Sequence, residues 1–307
     1  MWRYTVRRIL QMIPVLIGTT FIIYAMVFAL PGDPIQALAG SKPLPQSVIN
    51  ALHERYNLDD PLVVQYAKYM ANAFQGDFGE TFYGQSVTSA LESRWPVTLK
   101  LALVAWVFEL VAGVTLGVWA GLRRGKFTDR VILGGTTLII AVPTFVVAYS
   151  AQLLLGVKWD IFPVAGTQEG WVSYILPGIV LGSFSLAFVA RLVRTSIAEN
   201  LRADYMRTAR AKGLPKHRVV VRHLLRNSLI PVVTYLGVDL GSLMSGALVV
   251  EAVFNMPGIG QGIFQAVQTK QGTLVVGVTT ILVLIYLFAN LIVDLLYGVL
   301  DPRIRYE

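Results

Sequence analysis

The chain has 307 residues, 55% of them hydrophobic and only 14% charged, with no cysteine, three histidines and a formal net charge of +8. Soluble domains carry about 25% charged residues, so this composition, with a mean hydropathy of +0.60, excludes both a soluble globular enzyme and a disordered chain. Without cysteine there is no disulfide framework, thiol nucleophile, Cys-ligated zinc or iron–sulfur cluster, and His53, His217 and His223 form no H-x-x-x-H pair that would hold a metal.

In chain order, the first element is residues 9–30, an uncharged apolar run preceded by Arg3, Arg7 and Arg8. A cleaved signal peptide has a shorter core of about 7–15 residues and a small-x-small cleavage site. This run instead leads into P-G-D-P at Pro31–Pro34, which predicts a first transmembrane helix with its N-terminus in the cytoplasm. Five further spans are predicted at 97–122, 131–157, 174–193, 229–250 and 274–297; at 1.5 Å per residue each can cross a core of roughly 30 Å. The fold class expected is therefore an all-α integral membrane protein with six transmembrane helices, N-in and C-in. Charge supports this: nineteen Lys and Arg fall on the predicted cytoplasmic side and seven outside, against five and nine acidic residues, as the positive-inside rule requires.

Two connecting segments are large. Residues 31–96 form an outer segment rich in apolar and aromatic residues (Leu58, Tyr66, Tyr69, Phe74, Phe78), expected to pack as a small cap or docking element. Residues 191–226 carry ten Lys and Arg against Glu199 and Asp204. There Ala209 and Ala211 lie among good helix formers, Gly213 suits a helix stop with a left-handed conformation, and Pro215 suits the first turn of a second helix. The picture is a helix, a tight turn and a short helix on the cytoplasmic face. Nucleic acid is disfavoured because the segment is tied between two spans; anionic lipid and a cytoplasmic protein partner stay open.

Within the predicted spans, small residues recur every fourth position at Gly113, Gly117 and Gly121, at Gly178 and Gly182, and at Gly237, Gly241 and Ser245, a pattern that lets helix backbones approach. Three carboxylates also lie within spans, and each must face protein or water. Glu109 shares the Gly113 stripe and is read as a hydrogen-bond partner in a helix interface, with transport chemistry as the alternative. Asp239 lies near the midpoint of its span on a polar stripe with Tyr235, Ser242 and Gly246, where lining a cavity and a structural role are both open. Asp294, near the cytoplasmic end, is expected to cap or pair with a basic residue. Gly125–Lys126 lacks the flanking residues of a phosphate-binding loop, so ATP-driven transport would draw on separate subunits.

At Asp204–Leu214 the sequence D-Y-M-R-T-A-R-A-K-G-L resembles the cytoplasmic loop of ABC importer permeases, in the dipeptide/oligopeptide/nickel subfamily and its B-type peptide permease subunits. R-R-I-L-Q-M-I-P (Arg7–Pro14), P-G-D-P, G-D-F-G (Gly76–Gly79), V-V-E-A-V-F-N-M-P-G-I-G (Val249–Gly260) and the tail from Asp294 to Tyr306 carry the same resemblance over nearly the whole chain. The general E-A-A motif is not kept, since Arg207, Thr208 and Ala209 stand in its place, and Thr269–Thr273 replaces a frequent R-D-Y-P. The resemblance implies a type I ABC importer permease fold in a bacterial cell (inner or plasma) membrane, multi-pass. It divides the chain into 1–30, an extracytoplasmic cap 31–96 and a five-helix core 97–307 holding a coupling loop at 194–228. It also implies a second homologous permease, two ABC ATPases that bind the ATP and Mg, and an extracytoplasmic solute-binding protein, with no cofactor in this chain. Arg207, Thr208, Ala209, Ala211, Lys212, Gly213 and Leu214 would face the ATPase. Tyr235, Asp239 and Ser242 are candidates for the path, and Glu251, Pro257, Gly258 and Gly260 for the outer gate. Short peptides are the expected solute, with nickel, glutathione or oligosaccharide as alternatives. Two other classes are weighed: an ATP-independent channel or transporter, and a membrane scaffold.

Overall fold

A computed structural model describes residues 2–29, 45–81, 84–244 and 247–300. The P-G-D-P motif, Lys42, Ser245, Gly246 and the tail from Asp301 lie outside the described residues. Apart from an isolated bridge between Glu80 and Ser86, the regular structure described is helical. The chain divides into two compact units, Met1–Thr98 with Pro257–Glu307, and Leu99–Met256.

In the first unit, α1 (Trp2–Phe28) and α13 (Gly272–Leu300) are the long apolar helices. They run antiparallel. A Cβ on Gly272 would lie 2.5 Å from Val27, Tyr24 clusters with Val276, and at the other end Arg8 pairs with Asp294 at 3.3 Å. The expected basic partner of Asp294 is thus Arg8, and the start of α1 lies at the same level as the end of α13. The outer segment holds two helices, α2 (Gln46–Tyr56) and α3 (Leu62–Ala73). α3 is amphipathic and buries Tyr66 and Met70 against α1. The Tyr66 hydroxyl donates to Ile17 O at 3.0 Å and shares a 2.8 Å hydrogen bond with Thr20. Tyr69 donates to Thr280 of α13 at 2.9 Å, and burial pushes its phenol up to about 12. These aromatic residues are the reason for the apolar composition of the segment: they attach it to the two helices.

The second unit begins within α4 (Val87–Leu122), a helix of 36 residues that starts inside the segment read as loop. α7 (Val172–Asn200) lies along it. Cβ atoms on Gly113, Gly117 and Gly121 would meet Val189 at 2.9 Å, Val193 at 2.6 Å and Ile197 at 2.9 Å, and those on Gly178 and Gly182 would meet Val104 and the Ala105 carbonyl, each at 2.5 Å. Residue numbers rise together on both helices, so α4 and α7 are parallel. The start of α7 is level with that of α4 in this unit, where Lys100 lies 5.7 Å from the Trp171 ring. The chain between them must therefore travel back along their length.

That return is made by α5 (Phe127–Ala141) and α6 (Thr144–Lys158), which are bent by 101°. The expected span 131–157 is thus two helices, Phe127–Ala141 and Thr144–Lys158, in place of one continuous helix. Pro143 lacks an N–H and forces the preceding residue out of the helical region, and Val142 is extended at φ −92, ψ 128. After α7 come α8 (Asp204–Ala211) and α9 (residues 216–228), then α10 (Ile230–Met244) and α11 (Leu248–Val253). Ser228 is hydrogen-bonded to Ser196 O, Trp106 donates to Leu236 O at 2.9 Å, and Leu243 packs with Ala102, Ala105 and Leu181. α10 is therefore antiparallel to α7 and rises ~22 Å along it at 1.5 Å per residue. By length and composition the described residues hold four spans, or five with the bent pair counted as one; α10, with 15 residues, is shorter than a full span.

Candidate functional site

The basic segment folds as a helix, turn and helix. α8 turns Met206 and Ala209 inward onto Val219, Leu224 and Val193, which leaves Arg207, Thr208, Arg210, Ala211, Lys212 and Gly213 exposed. Its end is a Schellman turn: Gly213 N–H donates to Arg210 O at 3.0 Å and Leu214 N–H to Ala209 O at 3.4 Å. Gly213 has φ +67, the left-handed conformation expected of it, and half-buried Leu214 packs back on the cluster beneath α8. Pro215 stands one residue before α9 rather than in its first turn: at ψ 145 it is extended, and its carbonyl accepts the Val219 N–H at 3.1 Å. The turn therefore presents a short basic helix on a firm apolar base.

A buried ion pair holds the neighbouring loop. Arg194 of α7 grips both Asp129 oxygens, one through Nη2 at 2.8 Å, and the Gly125 N–H donates to the same carboxylate at 2.7 Å. Arg191 donates to Thr137 at 2.8 Å. Sequence reading placed these arginines only in the basic count. The sole signal for the pair was an acid, Asp129, at the start of a helix within a basic loop.

Within the second unit, Tyr235 and Asp239 share one face of α10, as their spacing requires, with a 3.5 Å contact from the Tyr235 hydroxyl to Asp239 Oδ1. Ser242 lies one turn on, exposed on the same helix; Gly246 is outside the described residues. Glu109 is fully buried, and neither of its oxygens has a hydrogen-bond partner. Of the hydrogen bond expected of Glu109 in a helix interface, the structure shows the facing groups, Asp239 and Ser185, with no bond to either oxygen. The helix widens into a π-turn over Glu109–Gly113, and the Glu109 carboxyl lies near Asp239 and Ser185. Sequence reading did not connect the two acids, because they come from helices 130 residues apart at the Trp106–Leu236 contact.

The residues read as an outer gate divide between the two units. Glu251 is buried in α11, and its carbonyl accepts the Met256 N–H at 2.9 Å. Pro257, Gly258 and Gly260 belong to the first unit, at the start of α12 (Ile259–Gln268). There the Ile259 N–H donates to buried Thr98 at 2.9 Å and Arg94 donates to Gly258 O at 3.3 Å. A cavity of about 360 Å³ beside them is lined by Arg94, Gln265 and Thr269.

Residues 113–306 match the family described as binding-protein-dependent transport system inner membrane component, and residues 1–102 match the N-terminal part of such membrane components. The chain is 35% identical over 308 residues to the glutathione transport system permease protein GsiC of Escherichia coli (strain K12), with 100% of both chains covered. It is 33% identical over 338 residues to the dipeptide transport system permease protein DppB of the same strain, again covering 100% of both.

Proposed function

The chain belongs to the binding-protein-dependent transport inner membrane components, and from that premise we propose that it forms one half of a translocation pathway for short peptides. It is an ABC importer permease subunit, a multi-pass component of the bacterial inner membrane, and not itself an ATPase. As part of a binding-protein-dependent system it works with an ATPase and a binding protein.

The observation that carries the peptide reading is full-length similarity to two permeases named for glutathione and for dipeptides, both of them short peptides with a free ammonium and carboxylate. In this reading a second, homologous permease completes the pathway, and two ATPases bind the ATP and Mg while this chain holds no cofactor. The chain crosses six times, N-in and C-in. The antiparallel α1 and α13, the parallel α4 and α7, and the return through α5 and α6 support that count. So does the rise of α10 along α7. Residues 31–96 cap the outside, 97–307 form the core, and 194–228 couple it to the ATPases. The exposed face of Arg207, Thr208, Ala211, Lys212 and Gly213 docks in an ATPase cleft, with Ala209 and Leu214 anchoring it from beneath. Glu251, Pro257, Gly258 and Gly260 shape the outer gate. Access alternates as ATP binding and hydrolysis move the coupling turn.

Tyr235, Asp239 and Ser242 line the path, and the Asp239 carboxylate favours the amino end of a passing peptide. The test is uptake into vesicles holding this permease with its partners. Uptake should require ATP, and Asp239→Asn should slow peptides with a free amine more than amine-blocked ones. Equal slowing of both removes Asp239 from the path. ATP-dependent uptake of neither dipeptides nor glutathione overturns the peptide reading.

A further inference from the structure

Glu109 stands apart from the other acids of the second unit. It is 0% exposed, and both of its oxygens lack a hydrogen-bond partner, as does the buried Oδ2 of Asp239. The polar groups that interact with Glu109 are Asp239 from α10 and Ser185 from α7. Tyr235, the remaining titratable neighbour, faces Ser185, Asp239 and Glu109. No lysine, arginine or histidine is among them. The nearby indole of Trp106 already donates to the Leu236 carbonyl.

Two hydroxyls cannot satisfy three orphaned carboxylate oxygens, and buried polar atoms are expensive to leave unpaired. Two like charges facing each other in a low-dielectric interior also repel. One proton resolves both faults. It makes one acid a donor to the other, and an O–H···O⁻ bond of this kind is short and strong. The π-turn at Glu109–Gly113 is consistent with such a site, since these single-turn widenings are frequent where a helix carries function.

We propose that Glu109 and Asp239 bind one exchangeable proton between them, taken from water through the partly exposed side of Asp239. The pair then carries a single negative charge instead of two, and it bridges the π-turn of α4 to the middle of α10. As with other interacting acids, the proton belongs to the pair rather than to either residue. The proposal rests on these helices lying in the bilayer and is independent of which solute passes.

The test is infrared spectroscopy of the assembled permease complex in lipid nanodiscs at neutral pH, which reads protonation without any transport. The expected result is the carbonyl stretch of a protonated carboxyl that shifts in D2O and is lost in Glu109→Gln. If that variant does not assemble, Asp239→Asn serves in its place: the band must shift or vanish, because the shared partner has gone. Absence of an exchangeable carboxyl band in the unaltered complex overturns the proposal. So does a band unchanged by either substitution. A band that disappears on adding Na⁺ or K⁺ at constant pH also overturns it, since the pair would then be a metal-cation site.

Discussion

Replacing Gly213 perturbs one backbone angle and little else. Its φ is +67, and a Cβ built there meets nothing within 4 Å. The cost is therefore conformational. For an L residue the left-handed region costs about 1–2 kcal/mol, enough to shift the balance between the closed turn and a frayed one by roughly 5- to 30-fold. Asn tolerates that region better than Ala, and a β-branched residue tolerates it worst. The expected order for solute-stimulated ATP hydrolysis and for uptake is Gly, then Gly213→Asn, then Gly213→Ala, with Gly213→Val lowest. Because Gly213 is exposed and the apolar base under α8 is untouched, yield and thermal midpoint should change little across the series. Purified complex in proteoliposomes, assayed for both activities in parallel, decides it. Normal coupled uptake in Gly213→Val, or a series ordered by side-chain volume instead of by preference for positive φ, would refute the reasoning.

Two further expectations concern packing and topology. Gly117→Ala places a Cβ 2.6 Å from the Ala190 carbonyl, which cannot rotate away; overpacking of about 1–3 kcal/mol should lower the thermal midpoint in detergent. Gly135→Ala, with open space at its Cβ, should be neutral or better, and equal effects of the two would contradict the α4–α7 contact. The chain has no cysteine, so a cysteine at Lys270 should react with an impermeant thiol reagent from outside and one at Lys216 only after permeabilisation; external labelling at 216 would overturn the six-span topology.

The spacing of Gly113, Gly117 and Gly121 was enough to anticipate a close helix contact, because small residues every fourth position share one face. It did not say which helix would lie there, and α7 could be identified only from the atoms a Cβ would strike. Gly213 was legible because a helix stop with positive φ has a strong local preference for glycine. The bend at Val142–Pro143 was equally local, yet the apolar run concealed it: hydropathy measures composition and is blind to one missing N–H. The length of α4 was misread for the opposite reason, since its first ten residues, 87–96, are polar enough to resemble a loop while still helical.

Composition alone determined that this is a multi-span membrane protein, and charge bias predicted that its basic turn faces the cytoplasm, because burial in lipid and retention of Lys and Arg act on each segment separately. Tertiary structure alone decided the partners. The Arg8–Asp294 and Arg194–Asp129 pairs, the Tyr66 anchor on α1 and the facing acids Glu109 and Asp239 join residues 46 to 286 positions apart. Such contacts depend on how helices cross and at what depth, and no periodicity within a single segment records that.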